Sequence, residues 1–207
     1  TGESLLLDSR IDTIQVGKLY LLENALNLNA DRIRSPEDVL ALAYFSSERQ
    51  VYGNTSETEK LVFEAVWDGK QIGLRQNLTQ SSSGNFAEIS ANLNFFPDRT
   101  ELRFEDSNIT ALDQEWRITD ENVVVFGNSR IDIENLSIFN VDQAIIFDGE
   151  VGIVQDSAIT LNIDFKEVEV ANINPLTNEE YTGKISGNVM AQNLYFNPPL
   201  FGDLIVE

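Results

Sequence analysis

Apolar residues recur at every second position along most of this chain, and that spacing restricts what it can fold into. A two-residue period puts successive side chains on opposite faces of a strand, so it describes half-buried β-structure and not a helical bundle. Leu19-Tyr20-Leu21 leads into Leu26-Asn27-Leu28-Asn29-Ala30, and Leu61-Val62-Phe63-Glu64-Ala65-Val66-Trp67 stops at the turn pair Asp68-Gly69. Ile89 to Phe95 stops at Pro97-Asp98, and Leu102-Arg103-Phe104 follows. Val123 to Phe126, Ile131 to Ile133, Ile159 to Val170 and Lys184 to Phe196 continue the pattern. Turn signals recur about every ten residues, as in β-sandwiches, barrels or grooves. The polar stretch Gln80-Ser81-Ser82-Ser83-Gly84-Asn85 reads as a hairpin loop.

One segment departs from the alternation. Ser35-Pro36-Glu37-Asp38 carries a serine cap, a proline at the first helical position and acids in the first turn. Val39, Leu40, Leu42 and Ala43 then favour one side, which predicts one short α-helix over residues 36–47.

Several strands switch the parity of their apolar positions. Ile131 and Ile133 give way to Leu136 and Ile138; Ile159, Leu161, Ile163 and Phe165 to Val168 and Val170; Val189 and Ala191 to Leu194 and Phe196; Leu19 and Leu21 to Leu26 and Leu28. Polar pairs stand at three of these switches: Glu134-Asn135, Lys166-Glu167 and Gln192-Asn193. A straight strand would carry the second set to the opposite face. A β-bulge would return it to the first face and bend the strand. Bulges in neighbouring strands would crease the sheet into an apolar-lined trough. Alternatively, the strands cross between the two sheets of a closed sandwich at these points.

Composition removes whole classes of chemistry. The chain has neither cysteine nor histidine, so it can form no disulfide, thiol nucleophile, Cys/His zinc site or histidine general base. Lys and Arg total 14 against 34 Asp and Glu, a net charge of −20. That balance argues against nucleic acid and against electrostatic attachment to an anionic membrane face. The acids pair in places, as in Asp148/Glu150 and Glu167/Glu169, but a glycosidase needs two carboxylates facing each other across a cleft. No EF-hand loop, serine elbow or phosphate-binding glycine loop is present. The expectation is a protein without enzymatic activity, with no catalytic, metal or cofactor residues. No apolar run approaches the ~20 residues that span a bilayer. The first residue, Thr1, is not methionine and the last, Glu207, follows the apolar run Leu204-Ile205-Val206, so the chain is expected to be a piece of a larger protein, read here as one β-groove domain over residues 1–207.

From Asn108 onward the sequence runs through Ile109-Thr110-Ala111-Leu112-Asp113-Gln114-Glu115-Trp116-Arg117-Ile118, Asn122 to Val125, and Ile131-Asp132-Ile133-Glu134-Asn135-Leu136. In these stretches it resembles members of the TamB family, particularly those of Bacteroidetes, in their C-terminal part. Val168-Glu169-Val170-Ala171-Asn172-Ile173-Asn174-Pro175-Leu176, the strand Gly183 to Val189, and Leu194-Tyr195-Phe196-Asn197-Pro198-Pro199-Leu200 add to it. AsmA-like relatives share the pattern. The resemblance implies an all-β fold in which a mostly antiparallel bent sheet forms a β-taco or half-pipe groove. It implies a periplasmic segment of a protein anchored in the inner membrane, whose partners are phospholipid acyl chains and a TamA-like outer-membrane barrel protein. Its role would be phospholipid transport, outer-membrane protein assembly, or both. The expected groove lining is Ile131, Ile133, Leu136, Ile138, Ile159, Leu161, Ile163, Phe165, Ile185 and Val189. The alternative is an extracytoplasmic β-sandwich module that binds carbohydrate or protein through exposed aromatics such as Tyr44, Trp67 or Trp116.

Overall fold

The alternating pattern is realised as fifteen strands in a computed structural model that describes residues 3–32, 39–53, 56–80, 84–111, 113–152, 160–171, 180–192 and 200–206. Among these residues the fold is all-β, with no α-helix and antiparallel pairing in every ladder described below. The chain forms two compact units, residues 1–94 with 107–114 and residues 95–106 with 115–207.

Unit 1 is an up-and-down sheet of long strands. These are β1 (Glu3–Val16), β2 (Leu19–Arg32), β3 (Val39–Tyr52), β4 (Ser56–Asp68), β5 (Gln71–Gln80) and β6 (Asn85–Phe95), hydrogen-bonded in chain order. β7 (Thr100–Phe104) belongs to unit 2, and β8 (Asn108–Ala111) returns to pair with Phe86 to Glu88 of β6. The turns fall where the sequence places them. Asp68 ends β4 before Gly69, and the pair Gln80/Asn85 closes the β5–β6 hairpin.

The helix expected over residues 36–47 is not formed. Residues 39–47 lie in β3, which pairs with β2 from Val39/Arg32 to Tyr52/Leu19 and with β4 from Leu40/Asp68 to Tyr52/Ser56. Residues 35–38, which hold the cap signal, lie outside the described residues. The reason is tertiary. Apolar residues at nearly every position from 39 to 45 satisfy a helical and an extended period equally, and two full-length neighbours settle the choice by supplying ladder bonds on both sides.

Unit 2 contains β7, β9 (Gln114–Ile118), β10 (Val123–Phe126), β11 (Arg130–Phe139), β12 (Ala144–Gly152), β13 (Thr160–Glu169), β14 (Lys184–Gln192) and β15 (Leu200–Val206). Its path runs β7-β10-β11-β12-β13-β14-β15. β9 and β10 share one edge of β11: Arg117 and Ile118 face Phe139 and Ile138, while β10 faces residues 131–134. Asn122, fully buried, fixes the jog between them. Its Oδ1 accepts from Phe104 N at 2.8 Å, and its Nδ2 donates to Phe104 O at 2.9 Å and to Thr119 O. Such a connection buries backbone polar groups only if a side chain pairs with them, and an amide supplies both donor and acceptor.

The two units bury very different amounts of apolar side chain. Trp116, Ile118, Val123, Val124, Leu161 and Ala191 are buried in unit 2, whereas among the described residues of unit 1 only Ala41 and Ala91 are buried apolar residues. Among the described residues, β1 pairs only with β2 and β15 only with β14, so each presents one unpaired edge.

Candidate functional site: an uncovered apolar sheet face

Cross-strand register sorts the side chains of unit 1 onto two faces. Leu5, Ala30, Ala41, Trp67, Ile72 and Leu93 stand opposite one another in one row across six strands. Two residues along, Leu7, Leu28, Ala43, Ala65, Leu74 and Ala91 form the next row on the same face. Ser9, Leu26, Phe45, Phe63, Gln76 and Ile89 form a third. The other face carries the polar row Asp8, Asn27, Tyr44, Glu64, Arg75 and Ser90 and a mixed one, Leu6, Asn29, Leu42, Val66, Gly73 and Asn92, whose apolar members are exposed. The apolar face is not covered: Leu5 is 56% exposed, Leu7 43% and Trp67 40%.

Unit 2 repeats this sorting, and here the expected lining residues fall together. Ile133 shares a row with Val124, Gly149, Leu161, Ala191 and Leu200. Leu136 lines up with Phe147, Ile163 and Val189, and Ile138 with Ile118, Ile145, Phe165, Gly187 and Leu204. Ile185 stands between Val168 and Val206, and Ile131 between Phe126 and Val151. Nine of the ten expected residues thus occupy one face; the tenth, Ile159, lies outside the described residues. Leu161 is buried and the other eight are half-buried. The reading missed Ile145, Phe147 and the apolar rows of unit 1. Ala144-Ile145-Ile146-Phe147 is apolar throughout, so no periodicity assigns a face within it, and only the register against β13 does.

Two bulges hold the unit 2 residues on that face. Glu134 and Asn135 stand opposite Asp148 alone, so the pairs Ile133/Gly149 and Leu136/Phe147 remain in phase on β12. Lys166 and Glu167 likewise stand opposite Ser186, keeping Phe165/Gly187 and Val168/Ile185 in phase on β14. These are two of the places where the apolar parity switches, and each is resolved by an extra residue as the bulge reading expected. The switch at Gln192-Asn193 runs into residues outside those described.

The two bulges share one construction. Asn135 and Glu167 adopt left-handed backbone conformations, φ 54° and 49°. Each has its N–H turned towards the side chain of the lone residue opposite: Asp148 Oδ2 at 3.4 Å and Ser186 Oγ at 3.0 Å. The next residue along is glycine, Gly149 or Gly187, at φ 121° or 134°. A Cβ there would run into the carbonyl oxygen of Thr160 or Asp203 on the following strand.

Unit 1 changes parity by another device. Asp12/Glu23, Glu23/Glu48 and Glu48/Lys60 are missing from otherwise continuous ladders, so one line of four positions is unpaired across β1 to β4. No residue is added across β1, β2 and β3. Instead Glu23 and Lys60 turn left-handed, φ 55° and 54°. A register slip between Glu59 and Val62 ends the line at β5. Buried amides and hydroxyls take up the freed carbonyls. Asn24 Nδ2 donates to Ile11 O and Leu21 O at 2.9 Å, Ser47 Oγ to Leu22 O at 3.1 Å, and Gln50 Nε2 to Ser47 O at 2.7 Å. Thr58 Oγ1 donates to Gln50 Oε1 at 3.0 Å. Asn24 Oδ1 is buried and has no hydrogen-bond partner. The parity switch from Leu19 and Leu21 to Leu26 and Leu28 is therefore a left-handed break and not an inserted residue.

The acid pairs are engaged separately. Asp148 serves its bulge, Glu150 meets Arg130 at 3.3 Å, and Glu167 meets Lys184 at 3.2 Å. Glu101 is held between Arg99 at 2.8 Å and Arg103 at 3.3 Å. Hydrogen bonding from Arg99 is the main cause of a Glu101 pKa below the usual carboxylate range; desolvation opposes it and Arg103 adds to it. Arg99 also stacks over Phe96, 4.5 Å from the ring centre. Of the aromatics considered for surface recognition, Trp116 is buried, Tyr44 is half-buried on the polar face, and Trp67 is exposed with its indole N–H bonded to Gly69 O at 2.7 Å.

No family model, curated protein or solved structure matches the chain.

Proposed function

We propose that this chain is a non-enzymatic segment of a TamB-like, periplasm-spanning protein, and that its apolar sheet face forms a groove that shields phospholipid acyl chains. In this reading the full-length protein is anchored in the inner membrane. The segment serves lipid passage towards the outer membrane, or barrel-protein assembly with a TamA-like partner. One observation carries it: each unit lays apolar side chains in continuous cross-strand rows on one face, and large members of those rows are half-buried or exposed. Shielding an acyl chain is worth about 0.8 kcal/mol per methylene, and a lining without fixed polar anchors gives no deep well to stop a chain from sliding. A closed β-sandwich module would need a second layer that buries Leu5, Leu7 and Phe63, which stay at least one-third exposed.

The test uses strand alternation as its internal control. A photocrosslinking amino acid replaces Ile163 on the apolar face or its neighbour Asp164 on the polar face. The purified chain is then irradiated with vesicles containing tritiated phosphatidylethanolamine. Labelling at residue 163 several-fold above that at 164 supports the groove; equal labelling, or none at either site, overturns it.

A further inference from the structure

We infer that the unpaired line Asp12–Glu23–Glu48–Lys60 is a hinge, and that residues 13–22, 49–53 and 56–59 of unit 1 swing about it as a flap. A ladder resists bending across its strands because every residue pair is tied; a fold line needs all the strands to yield at one height. Here β1, β2, β3 and β4 all lose their pair on the same line, while the ladders on both sides are intact. β5 and β6 pair without interruption from Gln71/Asn94 to Gln80/Asn85, and beyond the slip between Glu59 and Val62 the flap is joined to them through the pair Glu59/Thr79 and the bond from Gln80 Nε2 to Glu57 O at 2.9 Å. Those two ties are what a swing of the flap has to bend or break.

Two further observations mark the line as costly in its present arrangement. Glu23 and Lys60 hold left-handed backbone conformations that glycine would adopt more cheaply, so the break is held under strain. Asn24 Oδ1 sits buried at the line without a donor among the described residues, a cost that letting water into the line would remove. Asn24, Ser47 and Gln50 bond to main-chain carbonyls and not to side chains across the sheet, except for Thr58, so their bonds can re-form as the angle changes. The hinge is independent of what the apolar face carries.

The absence of cysteine makes the test clean, because spin labels attach only where cysteine is introduced. Leu6→Cys with Val16→Cys spans the line along β1; Leu6→Cys with Gln71→Cys lies on one side of it. Electron–electron distance measurements on the whole chain should give a distribution roughly twice as broad for the first pair as for the second. Hydrogen exchange should run about tenfold faster at the amides of residues 12, 23, 48 and 60 than in the ladders flanking them. Equal widths would overturn the hinge whatever the protection at the line, because missing ladder bonds alone speed exchange there.

Discussion

Unit 1 and unit 2 meet the same problem with different chemistry. In both, apolar residues change parity part-way along a strand, and the face they share must be kept. Unit 2 adds one residue, lets it turn left-handed, and clears room opposite with a glycine whose missing side chain admits the next strand. Unit 1 adds nothing across its first three strands, breaks a line of pairs, and repairs the exposed carbonyls with Asn24, Ser47 and Gln50. The first solution is local and rests on a steric vacancy. The second extends over four strands and rests on buried hydrogen bonds. Unit 2 also has an apolar core at Trp116, Ile118, Val123 and Val124, whereas the described residues of unit 1 bury only Ala41 and Ala91 among the apolar ones. A steric device tolerates no intrusion, while a hydrogen-bonded one degrades by steps.

The two tryptophans allow this contrast to be tested, because Trp67 reports on unit 1 and Trp116 on unit 2. The largest effect is expected from Gly187→Ala. Its Cβ would meet the Asp203 carbonyl at a left-handed φ, so β15 must shift or part from β14. Unit 2 should lose about 3 kcal/mol in urea unfolding followed through Trp116 in a Trp67→Phe background. If Trp67, followed in a Trp116→Phe background, loses as much, the units do not differ in the way described. Next comes Asn24→Ala, which removes the side-chain bonds to Ile11 O and Leu21 O and also the orphaned Oδ1. The expected loss is about 1–2 kcal/mol, seen by Trp67 and not by Trp116. An unchanged midpoint would mean that the polar belt contributes nothing to the bend.

The smallest effect concerns acid. Glu101 has a folded pKa below its unfolded value, so its contribution is complete above the ordinary carboxylate range. It is lost as pH falls through the lower folded value. Partly solvated partners limit it to a few tenths of a kcal/mol, about 1 at most. Glu101→Gln should therefore narrow the stability gap between pH 6 and pH 3 by that amount, measured through Trp116. A gap that widens would reverse the sign argued from Arg99.

Many strand positions were legible because alternation, turn pairs such as Asp68-Gly69 and Pro97-Asp98, and the polar pairs at the bulges all act locally. Glu134-Asn135 and Lys166-Glu167 could be read as bulges because an inserted residue changes the spacing itself. The break at Glu23 does not declare itself that way. Nothing is inserted, and a glutamate in a left-handed conformation looks like any other glutamate until its neighbours on β1 and β3 are known. The helix expected over 36–47 failed for a related reason. A strong cap signal is a property of four residues, whereas the fate of 39–47 was decided by partners on β2 and β4. Which residues share a face was recoverable where strands alternate, as at Ile163 and Phe165, and was lost where apolar residues run together, as at Ile145 and Phe147.

The single-sided pairing of β1 and β15 has a bearing on how the protein behaves in a tube. Each edge offers a row of main-chain donors and acceptors beside exposed leucines, among them Leu5, Leu6 and Leu7 on β1 and Leu200 and Leu204 on β15. Such borders invite ribbon growth. Twenty surplus negative charges push copies apart in dilute buffer, but that repulsion reaches only about 3 Å in molar electrolyte. Brine, rather than heat, is then the condition under which this chain turns from monodisperse to sticky.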